Sequence, residues 1–463
     1  MKWKNKLIFL LFASFLLRLI SLNQSLWLDE ATTARVVQQF NYGQILTLFS
    51  PHDFHPPLYY LFMKLWTNIF GYSEIALRMP SVLASLATGW VLYLIVKTQK
   101  SVKSIALWAT AFFLFNPLVV YYSQEARMYS IITLLVTLIF WSVTKLPFGS
   151  APFGGPQGKQ SGQDTGFRFK GRELIFANVF IALALGTYYG SIFFIAALYG
   201  YLLLKKKIKL FAFLLPGTLV AGIFLYPLFL TQLKNSGEVL QAIPNWSTTL
   251  GKANLKNLVL FPIKFTSGRI SWDPKIYYFA VAGLWAVIVW FACLKNILNT
   301  KYRILYTAFF LPILLGFLVS FYKPLLQYFR FIYVIPFMSI LLAYGANKKW
   351  QRVVLLIGFV AFSLIYTYIP SFHREDWKSL AASLPSDTVC ALPSAFDPLQ
   401  YYRPSLKTID ARSCATGNAD IVFVPYVAQI YGFDYAKYFN EKKYSLTKEV
   451  SFRGVSYQQW SKK

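Results

Sequence analysis

The sequence predicts a mainly α, polytopic membrane protein with a small α/β domain at its C-terminal end. Three observations carry that prediction. Of 463 residues, 56% are hydrophobic and 19% aromatic while only 14% are charged, against roughly a quarter charged in ordinary soluble domains. Apolar runs of membrane-crossing length recur along the chain. The lysines and arginines behind the formal net charge of +28 gather in short clusters between those runs and form no basic surface interleaved with aromatic residues. Lipid is therefore the expected solvent, and nucleic acid is not an expected partner.

A span needs about 20 mostly apolar residues to cross a hydrocarbon layer roughly 30 Å thick. Candidates lie near 7–22, 77–96, 104–121, 128–145, 173–189, 190–204, 208–230, 276–294, 303–322, 328–346 and 351–370, about eleven in all when 173–204 is divided in two. The basic start 1–6 and the apolar run 7–22 have the shape of a signal peptide. No small-residue cleavage site follows in Asn23-Gln24-Ser25-Leu26-Trp27, so the run reads as a retained first helix. Short loops rich in Lys and Arg stay in the cytoplasm. Lys97, Lys100 and Lys103 mark one such loop, Lys205, Lys206, Lys207 and Lys209 a second, Lys295, Lys301 and Arg303 a third, and Lys348, Lys349 and Arg352 a fourth. Their alternation sets the N-terminus in the cytoplasm. An odd number of spans then sets the C-terminal segment outside the plasma (inner) membrane.

The expected division is a transmembrane domain over 1–370, with outward loops at 23–76 and 231–275, and a soluble extracytoplasmic domain over 371–463. The cytoplasmic stretch 146–172 is Gly-rich and lacks an apolar period, as a linker would. The outward stretch 231–275 carries amphipathic pieces and the aromatic runs at 243–246 and 271–274, suited to a lid on the membrane face. In the tail, short apolar runs at 388–392 and 419–425 read as strands. Cys390 and Cys414 fall on the oxidising side, where a disulfide between them is one reading; two cysteines alone make a weak zinc site.

Charges beside apolar spans are costly and mark the places to search for chemistry. The first outward loop opens on Trp27-Leu28-Asp29-Glu30-Ala31, two carboxylates directly after a helix. Adjacent acids can also be plain solvated surface. His52, Asp53 and His55 follow, then Pro56-Pro57-Leu58-Tyr59-Tyr60, and Glu74 and Arg78 at the next helix start. A histidine beside acids admits a metal, for which magnesium or manganese on Asp29 would suit carboxylate ligands; a stiffened loop with a hydrogen-bonded histidine is the alternative. Ser123-Gln124-Glu125-Ala126-Arg127-Met128-Tyr129-Ser130 sets Glu125 and Arg127 between two spans, either as an ion pair within the loop or as a cation for phosphate with an acid beside it. Lys323 and Arg330 flank the outward turn before the tenth span, against the positive-inside trend, which favours an anionic partner.

Taken together, WLDEA at 27–31, HPPLYY at 55–60, ALRMPSVL at 76–83, SQEARMYS at 123–130 and QYFRFIYVIPF at 327–337 resemble the dolichyl-phosphate-mannose protein mannosyltransferase-like membrane glycosyltransferases, among them the aminoarabinose transferases. The stretch His373-Arg374-Glu375-Asp376-Trp377 is a weaker echo of the same group. The resemblance extends to about residue 370. It implies a C-type glycosyltransferase (GT-C) fold with amphipathic helices in the first outward loop. It also implies sugar transfer from a polyprenyl-phosphate donor to an extracytoplasmic protein, lipid or glycan. Carried onto this chain, the acidic catalytic residue is Asp29, with Glu30 next to it. Arg127, Arg330 and Lys323 are then candidates for the donor phosphate, and His55, Glu125, Tyr59 and Tyr129 for positioning sugar or acceptor. A single activated carboxylate without a nucleophilic partner favours inversion. The competing expectation is a transporter or flippase of lipid-linked sugars, although no repeated halves or mid-span charges mark one.

Overall fold

A computed structural model describes residues 3–97, 103–146, 171–243, 245–415 and 420–463 of the chain. Lys100, Pro244 and all of the Gly-rich linker except its ends lie outside the described residues. The chain folds as an extensive helical bundle with a small C-terminal sheet.

Among the described residues six helices are long and apolar enough to cross a membrane: Glu74–Lys97, Ile208–Ala242, Lys275–Leu294, Thr300–Val319, Tyr328–Gly345 and Lys349–Tyr368. A seventh crossing arises if Lys103–Leu114 and Pro117–Ser123, bent by 59° at their junction, count as one. The other expected spans fall on Trp3–Leu19, Tyr129–Thr144, Gly171–Thr187 and Ile192–Leu204, of 17, 16, 17 and 13 residues. The expected count of about eleven is not confirmed by helix length. Hydropathy reads through turns and caps, whereas a helix of 16 residues is only about 24 Å long.

The bend is built from sequence. Pro117 has no backbone N–H to continue the preceding helix, and Asn116 Oδ1 accepts from Leu118 N and Val119 N to start a new one. The freed Leu114 carbonyl accepts from Arg18 Nη2 at 3.0 Å, and that of Phe115 from Ser363 Oγ at 3.0 Å. Arg18 is fully buried. A buried guanidinium inside an apolar bundle is tolerated where it satisfies backbone released by a break.

In the first loop, Leu58–Phe70 buries Tyr59, Tyr60, Met63 and Thr67 and exposes Phe62, Leu65, Ile69 and Phe70. That two-faced pattern suits a helix lying in the membrane interface. The preceding stretch is pinned from the long helix Ile208–Ala242, whose Gln232 Nε2 donates to Ser50 O (2.7 Å) and His55 O (3.0 Å) and whose Asn235 Nδ2 donates to Pro51 O (2.8 Å).

The C-terminal sheet has strands β1 (Thr388–Ala391), β2 (Lys407–Asp410), β3 (Ile421–Val424), β4 (Tyr444–Phe452) and β5 (Val455–Lys462) in the order β2-β1-β3-β5-β4. β1 runs parallel to β2 and β3, while β5 is antiparallel to β3 and forms a hairpin with β4. Side chains alternate across a strand. Val389, Ala391, Val422 and Val424 accordingly pack with Trp377, Leu380 and Leu399, whereas Cys390, Ile421 and Phe423 pack on the opposite side with Phe439 and Trp460. Cys390 and Cys414 are joined as a disulfide; Cys293 is free and buried in the bundle.

Candidate active site

The short helix Leu28–Gln39 sits where first loop, bundle and tail meet. Leu28 enters the tail's core. One and two turns further on, Thr32 Oγ1 donates to Asp397 Oδ2 (2.7 Å) and Arg35 Nη2 to Gln400 Oε1 (3.1 Å). Positions 30, 34 and 37 are buried on the bundle side. Asp29 is left on the remaining side, at the helix N-terminus, where the macrodipole favours a carboxylate.

The two adjacent acids differ sharply. Glu30 is fully buried and accepts from Arg78 Nε (2.8 Å), Arg78 Nη2 (2.6 Å), Ala126 N (2.6 Å) and Trp27 N (3.3 Å). Arg78 also donates to the carbonyls of Leu22, Gln24 and Ser25. Four donors occupy Glu30, so the expectation of a catalytic Glu30 gives way to that of a structural anchor joining the first loop to the loop at 124–128. Asp29 keeps 39% of its side chain exposed and faces Arg127 Nη2 at 3.6 Å.

Glu125 and Arg127 do not pair with each other. Glu125 Oε1 takes Nε and Nη2 of Arg374 at 3.1 and 2.8 Å. Burial raises the Glu125 carboxyl above its ordinary value, against the pull of Arg374. Around these groups, the hydroxyls of Tyr121 and Tyr122, the Oε2 of Glu125 and the Nε of Arg127 are buried with no hydrogen-bond partner among the described residues. Unmet polar atoms concentrated in one place mark a site for a polar ligand.

His55 and Asp53 form a pair at 3.5 Å beside Tyr188. Burial works to raise the Asp53 carboxyl, but His55 and Arg127 outweigh it and hold the group below its ordinary value. Tyr59 and Tyr129 are buried near Arg127. Among the described residues no three His, Cys, Asp or Glu side chains come together, and Asp29, the candidate ligand, faces the Arg127 guanidinium.

Arg330 lies partly buried near Tyr129 and Tyr188, its Nη1 3.4 Å from the Pro324 carbonyl. Lys323 is exposed on the turn; its backbone N–H donates to Val319 O (3.1 Å), and its side chain is not drawn into this group by any hydrogen bond or ion pair among the described residues. Two arginines outside the expected set are. Arg269 and Arg374 flank the Tyr121 ring at 5.3 and 5.5 Å, and Arg374 lies 3.6 Å over Trp27. Gly268, at φ +73°, turns the chain against Pro117 where an added Cβ would meet the Pro117 Cβ at 2.9 Å, and so delivers Arg269. The charge argument applied to Arg330 applies equally to Arg269, which lies in the stretch 231–275 expected to face outward and directly follows the helix Leu255–Ser267.

Comparison with known proteins finds a solved structure of the same fold. ArnT from Cupriavidus metallidurans in its apo state superposes with a TM-score of 0.57 at 11% identity, covering 98% of this chain and 97% of that one. The fold is therefore that of the GT-C membrane glycosyltransferases. Residues 54–146, which hold HPPLYY and SQEARMYS, match the family described as dolichyl-phosphate-mannose-protein mannosyltransferase. Two further structures align over most of this chain at 12% identity. ArnT from the same organism bound to undecaprenyl phosphate gives a TM-score of 0.47, with 99% and 97% of the two chains covered. The Archaeoglobus fulgidus oligosaccharyltransferase in complex with zinc and sulfate gives 0.48, with 97% and 72% covered. No curated protein sequence gives a significant match.

Proposed function

We propose that the chain transfers a sugar from a polyprenyl-phosphate donor to an acceptor on the outer side of the plasma (inner) membrane, with inversion, using Asp29 as general base. The observation that carries this reading is the asymmetry of the acidic pair: Glu30 is filled by donors, whereas Asp29 is part-exposed and 3.6 Å from Arg127. The match of 54–146 to a family described by a dolichyl-phosphate sugar supports the donor class.

The chemistry follows from that arrangement. The acceptor hydroxyl or amine gives its proton to Asp29 as its heteroatom bonds to the anomeric carbon. The bond from that carbon to the phosphate oxygen breaks, and polyprenyl phosphate departs with the electron pair. Arg127 and Arg330 stabilise the charge that develops on the leaving phosphate. Glu125, through its open Oε2, and His55, Tyr59 and Tyr129 orient sugar and acceptor. With Glu30 sealed, no second free carboxylate stands beside Asp29 as nucleophile, which favours direct displacement. The loops at 23–76 and 231–275 and the segment 371–463 form the outward side, with the N-terminus in the cytoplasm.

Purified protein in nanodiscs, given synthetic polyprenyl-phosphate sugars, should release free polyprenyl phosphate in step with sugar appearing on an acceptor, followed by mass spectrometry. If the lipid-linked sugar instead crosses a liposome bilayer unchanged, the protein is a flippase and the transfer reading is wrong.

A further inference from the structure

The structure assigns Arg374, in the segment that leads into the C-terminal sheet, as a positioning residue that holds Glu125 ionised and aims its second oxygen at the ligand. The inference rests on the transfer reading above and extends it to a residue contributed from beyond the last long helix.

The geometry is specific. Both Arg374 contacts fall on one carboxylate oxygen, Oε1, so Oε2 stays buried and without a partner. Two donors on one oxygen fix the carboxylate plane while leaving the other oxygen for a substrate hydroxyl. Arg374 is itself held on three sides. Its guanidinium stacks on Trp27, the residue that opens the Asp29 helix. Its carbonyl accepts from Arg453 Nε (2.7 Å) at the β4–β5 turn, and Arg453 O accepts from Asp376 N (2.8 Å). The next residue, Glu375, is tied to the Tyr426 hydroxyl at 2.9 Å. The fold of the tail thus sets the position of one guanidinium in the site.

Electrostatics point the same way. Glu125 faces Arg374 from the tail segment, Arg269 from the stretch after Leu255–Ser267, and Glu30 from the first-loop helix. The remaining titratable neighbours are the hydroxyls of Tyr59, Tyr121, Tyr122, Tyr129 and Tyr366. Burial favours the neutral acid, Glu30 is itself neutralised by Arg78, and among the described residues Arg374 is the one cation in hydrogen-bond contact with Glu125. Loss of Arg374 therefore favours a protonated Glu125 at neutral pH.

The test has two readouts. Infrared spectra of the full chain with isotope-labelled glutamate should show no protonated Glu125 carboxyl in the wild type at pH 7. They should show one in Arg374→Ala, absent from Arg374→Ala/Glu125→Gln and largely suppressed in Arg374→Lys. In transfer assays, Arg374→Ala should lose about tenfold or more of kcat at pH 7. The acidic limb of its rate profile should move to higher pH, so that activity recovers in alkali, while Arg374→Lys keeps the wild-type limb. No new carboxyl signal in a folded Arg374→Ala protein, or a loss of equal size at every pH, overturns the assignment. If the signal appears as expected but the wild type turns over no polyprenyl-phosphate donor, the control of Glu125 stands and the transfer reading alone fails.

Discussion

At the scale of single residues, the site separates charges that hold the fold from charges left for chemistry. Glu30 and Arg78 are buried and mutually saturated. Arg78→Ala should destabilise the protein by ~3–5 kcal/mol, because it strands a buried carboxylate; thermal unfolding in detergent measures this, and removing both charges together should cost less. Asp53 gives a pH signature. Its folded pKa lies below the ordinary value, so its stabilising contribution is complete above the unfolded carboxylate range and is lost as pH falls through that range towards the folded value. Asp53→Asn should flatten the acid side of a stability profile; an unchanged profile would mean that the Asp53–His55 pair contributes nothing. Asp29, Glu125 and Arg127 were legible in the sequence because a charge beside an apolar span is conspicuous. The split in roles between Asp29 and Glu30 was not, because it depends on which of two neighbours turns toward Arg78, 48 residues away.

At the scale of elements, the helix Leu28–Gln39 works because each side has a different partner. Leu28, Thr32 and Arg35 meet the tail, positions 30, 34 and 37 meet the bundle, and Asp29 faces the site. Thr32→Val removes the hydroxyl that donates to Asp397 and should cost about 1–3 kcal/mol. It should also lower kcat more than it raises KM if Asp29 acts as the proposed base, since it loosens the helix that carries it; equal kcat in wild type and variant would show that the tail contact does not hold Asp29 in place. Apolar periodicity located the helices of the bundle, because burial in lipid writes long runs. It also read through turns, since the run at 190–204 begins inside the 3-10 turn Tyr189–Ser191 and that at 328–346 begins in another, Tyr328–Val334. Strands β1 and β3 stood out as short apolar runs; β4 and β5, with one polar face, did not.

At the scale of the whole molecule, the tail is bound into the site by many small contacts. Tyr402 Oη accepts from Leu26 N (2.7 Å), Tyr401 Oη donates to Tyr72 O (2.7 Å), and Lys378 pairs with Glu74 at 3.0 Å. Together with Arg374 on Glu125, they tie sequence ends that lie far apart: the Arg374–Glu125 contact spans 249 residues. Such a pairing leaves no trace in local pattern, and for that reason Arg269 escaped a reading built on neighbours in sequence, while Arg374 stood out only within the stretch 373–377 and with no role assigned to it. Deletion of 371–463 should abolish transfer and lower the unfolding temperature, whereas a freely hinged accessory segment would leave both nearly intact.

The most direct measurement is sugar transfer from a synthetic polyprenyl-phosphate donor by the wild type and by Asp29→Asn at equal folded protein. A fall of ~10²–10⁴ in kcat with little change in donor affinity is expected for loss of a general base. Undiminished transfer by Asp29→Asn would contradict the assignment and remove Asp29 from the chemistry.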